Sequence, residues 1–136
     1  MTTLGQCYCG AIVFELTGAP SVVCLCHCSQ CRRSVGATPV AWATFARSGF
    51  RIRDGEPRWL QSSTAAQRGF CGDCGTSLFF AAAASPDEID VTVVSLDDAD
   101  RLAPDRHIWV PSKLAWARTD DGLPRHVADS GSERLP

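Results

Sequence analysis

The sequence predicts a mainly β domain of short antiparallel strands with little helix, on three observations. Runs of four to eight β-branched, aromatic and aliphatic residues recur along the chain. Glycine-centred dipeptides such as Ser48-Gly49 and Asp54-Gly55 separate them. Cysteines arrive in close pairs that end on glycine, the spacing of metal knuckles carried at hairpin tips.

The elements follow in order. Residues 11–16, Ala-Ile-Val-Phe-Glu-Leu, leave the turn-like Cys9-Gly10 as a strand that Gly18, Ala19 and Pro20 close. Residues 21–25 are a short apolar strand delivering Cys26 from its end, and 28–35 allow a helical turn before Gly36. Residues 40–45, 50–53 and 59–62 read as strands of a meander. Residues 67–70 and 77–80 flank Cys71-Gly-Asp-Cys74-Gly75 as a hairpin with a metal knuckle at its tip, and 89–96 is the clearest strand. Residues 97–105 are acidic and broken by Pro104, after which His107 to Trp116 resumes an aromatic, partly apolar pattern.

A chain of 136 residues suits one globular domain, expected over 1–120, with a polar C-terminal tail at 121–136 whose last ten or so residues are expected to be disordered. The hydrophobic fraction of 45% and charged fraction of 21% are ordinary for a folded domain. A formal charge of -2 gives no positive field for nucleic acid, although twelve of the thirteen basic residues are Arg. No apolar run is long enough to span a bilayer and residues 1–6 lack a signal-peptide pattern, so a cytoplasmic location is expected.

Eight cysteines, at 7, 9, 24, 26, 28, 31, 71 and 74, carry the functional signal. In a reducing compartment such clustering favours metal over disulfides. Structural zinc takes four ligands, commonly two close pairs from separate hairpins, which fits Cys7 and Cys9 with Cys71 and Cys74. Cys26, Cys28 and Cys31 remain, in Cys-His-Cys-Ser-Gln-Cys. Three ligands and one open position are the mark of catalytic zinc, and an all-thiolate set favours a soft guest such as a thiol. His27 or Cys24 as a fourth ligand would close that site instead, and Cys24, within Val22-Val23-Cys24-Leu25, also reads as a small buried hydrophobe. Arg32, Arg33 and Arg68 adjoin the clusters, and Arg32 or Arg33 is expected to hold carboxylates of a thiol cofactor. His107 reads as a structural histidine.

Four motifs in order carry a resemblance: Gly5-x-Cys7-x-Cys9-Gly10-x-Ile12-x-Phe14-Glu15; Cys26-His27-Cys28-x-x-Cys31-Arg32; Arg68-Gly69-Phe70-Cys71-x-x-Cys74-Gly75-Thr76-x-Leu78; and His107-Ile108-Trp109-Val110-x-Ser112-Lys113-x-x-Trp116. Together they resemble the glutathione-dependent formaldehyde-activating enzyme family, also called the centromere protein V type. The resemblance implies an Mss4-like fold of antiparallel sheets and two zinc ions per chain. It implies structural zinc on Cys7, Cys9, Cys71 and Cys74, and catalytic zinc on Cys26, Cys28 and Cys31. It also implies carbon-sulfur lyase chemistry on a small thiol and aldehyde or their adduct, with glutathione as co-substrate and S-hydroxymethylglutathione as the product of synthesis. The chain is shorter than members for which glutathione chemistry is usually assumed. The rival reading is a non-enzymatic zinc module that binds a protein partner.

Overall fold

A computed structural model describes residues 1–136 as two antiparallel sheets packed around one core. The smaller sheet joins β1 (Thr2–Gln6), β2 (Val13–Thr17) and β5 (Phe50–Asp54) in the order β1-β2-β5. The larger contains β3 (Val22–Cys26), β4 (Val40–Ala46), β6 (Arg58–Ser63), β7 (Ala66–Phe70), β8 (Ser77–Ala82), β9 (Glu88–Thr92) and β10 (His107–Ile108). Its strand order is β10-β3-β4-β9-β8-β7-β6, antiparallel except for the parallel β10-β3 pair. One helix, α1 (Ser29–Val35), follows β3 and stops at Gly36 in the left-handed conformation.

The period-two geometry of strands gives the larger sheet two different faces. Ala43 and Phe45 of β4, Ile89 and Val91 of β9 and Phe79 of β8 join Phe14 and Leu16 of β2 in the main core. Phe14 and Phe79 meet edge to face at 4.9 Å, a favourable arrangement of ring quadrupoles. The alternate residues face the other way. Cys24, Cys26, Val40 and Trp42 form a second cluster with Cys31, and the functional site develops on this face.

Three departures from the sequence expectation have local causes. β1 carries no apolar alternation, because its inward positions are Thr3 and Gly5 while Leu4 points outward. Gly5 is needed there, since any Cβ would overlap the ring of Phe14. The strand expected over 89–96 ends at Thr92 and continues as a 3-10 turn over Val93–Ser95. Ser95 Oγ donates to the Thr92 carbonyl at 2.8 Å, so a local side-chain bond displaces the ladder. The C-terminal segment is not disordered: His126 N donates to the His107 carbonyl at 2.9 Å and His107 N to the Pro124 carbonyl at 2.8 Å. His126 is itself buried, and Val127 and Leu135 also donate backbone bonds, so polar composition there accompanies an ordered edge. No helix is long and apolar enough to cross a membrane.

Candidate metal centres and their cavity

All eight cysteines are free thiols, and seven of them converge in two groups. The first group is Cys7, Cys9, Cys71 and Cys74, with sulfurs all within 4.8 Å of one another. Two knuckles of similar design supply it. Cys7 N donates to the Ile12 carbonyl at 3.1 Å and Cys71 N to the Thr76 carbonyl at 3.0 Å, so each loop closes five residues on. Gly10 and Gly75 both sit at φ 80, a conformation that costs other residues a steric clash. Backbone amides also point at sulfur, Ile12 N to Cys7 at 3.3 Å and Cys74 N to Cys71 at 3.5 Å.

The sulfur spacing tests whether a metal fits. Zinc-sulfur bonds of about 2.3 Å in a tetrahedron give sulfur-sulfur edges of about 3.8 Å. Cys7 and Cys9 are 3.7 Å apart and Cys9 and Cys71 are 3.8 Å apart. The group has the size and the all-sulfur donor set of a closed four-thiolate centre.

Cys26, Cys28 and Cys31 form the second group, again within 4.8 Å. Cys26 ends β3, and Cys28 is the N-cap of α1, its sulfur accepting from Cys31 N at 3.2 Å. The strand end and the first helical turn therefore fold the three sulfurs onto one point. Left to themselves they cannot all ionise. Hydrogen bonds from the Cys26 and Cys31 thiols push Cys28 down to about 2, while bonding to Cys28 and Cys31 and burial push Cys26 up. A cation would relieve this competition, so the donor set fits a thiophilic metal with three protein ligands.

Neither proposed fourth ligand joins the trio. His27 is fully buried and pairs elsewhere: its Nε2 lies 2.9 Å from His107 Nδ1, and His107 Nε2 lies 2.9 Å from an Asp121 carboxylate oxygen. A carboxylate only accepts, so His107 donates through Nε2, His27 donates through Nε2, and His27 Nδ1 is left a bare acceptor without a partner. Burial, then His107 and Lys113, lower His27 to about 4 and keep it neutral. Cys24 lies beyond the trio on β3 in contact with its apolar cluster, as a buried hydrophobe would. Burial, then the charge of Asp90, push its thiol up to about 12.

The trio opens onto a cavity of about 630 Å³, the volume class of small-molecule sites. Cys24, Trp42, Phe80, Ile108 and Trp109 supply its apolar walls. Trp109 adopts a left-handed backbone at φ 55, fixed by its N–H bond to the Ala128 carbonyl at 3.0 Å. Arg32 and Arg33, expected to hold substrate carboxylates, stand in the last turn of α1 and do not line the cavity. Arg68, Glu88, Asp90 and Asp129 are the charged residues that do, and Asp129 comes from the segment expected to be a loose tail. Alternation along β7 and β9 could have flagged Arg68 and Asp90, but a lone charge in a strand gives no warning in sequence that it faces a cavity.

A family model for the glutathione-dependent formaldehyde-activating enzyme matches residues 2–112. The chain belongs to this family. A curated relative from Schizosaccharomyces pombe, named as an uncharacterized lyase, is 32% identical over 78 residues, which cover 57% of this chain and 56% of the relative. The chain therefore spans little more than half the length of that family relative. A crystal structure of a Rhodobacter sphaeroides protein is 32% identical and aligns at a TM-score of 0.58, covering 72% of this chain and 89% of the other.

Proposed function

We propose that the chain is a zinc-dependent carbon-sulfur lyase acting on a thiol adduct of a small aldehyde, in the manner of an S-hydroxymethylglutathione synthase. In this reading Cys7, Cys9, Cys71 and Cys74 hold a structural zinc, and Cys26, Cys28 and Cys31 hold a catalytic one. The observation that carries it is the convergence of three cysteines, with no fourth protein ligand, at the wall of the cavity. Zinc held there would supply Lewis acidity that favours the thiolate form of an entering thiol.

The chain's own residues do the rest. Trp42, Phe80, Ile108 and Trp109 exclude water around the adduct, which otherwise exchanges with free aldehyde hydrate. The amide of Cys31 steadies the Cys28 sulfur. In synthesis the thiol gives up its proton, its sulfur forms a bond to the carbonyl carbon, the carbonyl π pair moves to oxygen, and that oxygen takes a proton in return. In the lyase direction the hydroxyl loses its proton, the carbonyl reforms, and the sulfur leaves with the bonding pair.

The test is thiohemiacetal formation from glutathione and formaldehyde by zinc-loaded protein, measured beside a Cys28→Ser variant and a protein-free control. A rate above background that Cys28→Ser abolishes is expected. Equal rates in all three samples reject the reading.

A further inference from the structure

Arg68 is 6% exposed, yet no carboxylate pairs with it. Its Nη2 donates to Cys31 Sγ at 3.5 Å and its guanidinium lies 4.7 Å from the centroid of the Phe80 ring. Its Nη1 is buried without any partner, and the residue lines the cavity beside the cysteine trio. A buried charged donor with no acceptor is costly, so a native structure that keeps one has a use for it.

The sheet shows how the donor is held. Arg68, Phe80, Asp90, Thr44 and Val22 are register partners across β7, β8, β9, β4 and β3, and all five line the cavity. They form its floor, with Phe80 supporting the guanidinium plane. Asp90 is turned to Thr44, whose hydroxyl donates to it at 2.5 Å, and so does not quench the arginine. The site thus holds a guanidinium with one unpartnered donor beside Cys31, on the wall of the cavity that a thiol would enter.

We propose that Arg68 Nη1 is the oxygen-binding donor of this site: it holds the aldehyde oxygen as the carbon-sulfur bond forms, and the hydroxyl oxygen of the finished adduct. This rests on the function proposed above. The carbonyl π pair that moves to oxygen needs a positive partner at that moment, and a guanidinium already in place provides one without reorganisation. The ligand class that follows is a thiol bearing an oxygen acceptor on its first or second carbon.

The test reads binding rather than turnover. Cobalt(II)-loaded protein is titrated with mercaptoacetate and with ethanethiol, following the sulfur-to-cobalt charge-transfer band. Wild type is expected to prefer mercaptoacetate, even though Glu88, Asp90 and Asp129 face the same cavity and repel an anion. In Arg68→Met that preference, read as the ratio of the two affinities so that any effect of the lost bond to Cys31 is common to both thiols, is expected to fall about 10-fold or more, the worth of a hydrogen bond to a charged group. Arg68→Lys keeps part of the preference and Arg68→Gln less, a ranking that carries the comparison should the methionine variant not fold. A preference that survives intact belongs to the metal and overturns the proposal, as does an equal loss for both thiols or a flat ranking. If neither thiol perturbs the wild-type spectrum, the thiol-binding function itself fails and the role of Arg68 falls with it. If both bind without regard to oxygen, only the role of Arg68 is lost.

Discussion

Replacing Asp90 with Asn is expected to stabilise the protein at neutral pH and to leave it unchanged in acid. Burial, the main influence, raises the Asp90 carboxyl from 3.8 to about 6, the Thr44 hydroxyl bond pulls it down, and the charge of Glu88 adds to the rise. About two units correspond to about 3 kcal/mol, which contact with cavity water trims to about 2 kcal/mol. The sign follows from proton binding. Between pH 3.8 and about 6 the folded protein holds a proton that the unfolded chain has released, so stability falls as pH rises through this window. Asn cannot ionise and still accepts from Thr44, so the variant escapes that loss. Urea or thermal unfolding of both proteins from pH 4 to 8 measures it. The difference should open from near zero to about 2 kcal/mol, or about 6 to 10 °C in Tm. Metal release and other titrations are common to both proteins and cancel. A difference constant with pH, or a less stable variant at pH 7.5, would refute the buried carboxylate.

Phe79→Ala should cost about 3–5 kcal/mol in urea unfolding, because Phe79 is fully buried and touches Phe14, Phe50 and Trp59 at 4.9, 5.0 and 5.7 Å between ring centroids. Metal analysis should find two zinc per chain in wild type and in Cys24→Ser, one in Cys28→Ser, and in Cys71→Ser loss of the proposed structural zinc together with cooperative unfolding. A Cys24→Ser protein with one zinc would make Cys24 a ligand.

Cysteine spacing made the two knuckles and the Cys26, Cys28 and Cys31 trio readable from sequence, because separations within each are only two or three residues, whereas the fold brings Cys9 to Cys71 across 62 residues. The meander was readable for the same reason: strands such as Val40–Ala46 are short apolar runs that end at turn residues. The unread parts depend on distant partners. β1 is a strand because Phe14 fills the space above Gly5, and β10 because two residues find β3 across most of the chain. The cavity charges were opaque because a strand pattern shows which residues share a face, not what stands opposite. Arg32 and Arg33 adjoin Cys31 in sequence, but the helix turns them off the cavity, while Arg68 reaches Cys31 from a strand on the far side of the sheet.

Strand β7 has a consequence for how the two centres communicate. Arg68 and Cys71 lie three residues apart, so the stretch that carries the guanidinium to Cys31 ends in the group formed by Cys7, Cys9, Cys71 and Cys74. With zinc held by Cys7, Cys9, Cys71 and Cys74 as proposed, its removal would free the end of the stretch that carries Arg68, and a mild chelator would then weaken the proposed selectivity at the cavity before Cys26, Cys28 and Cys31 gave up their metal.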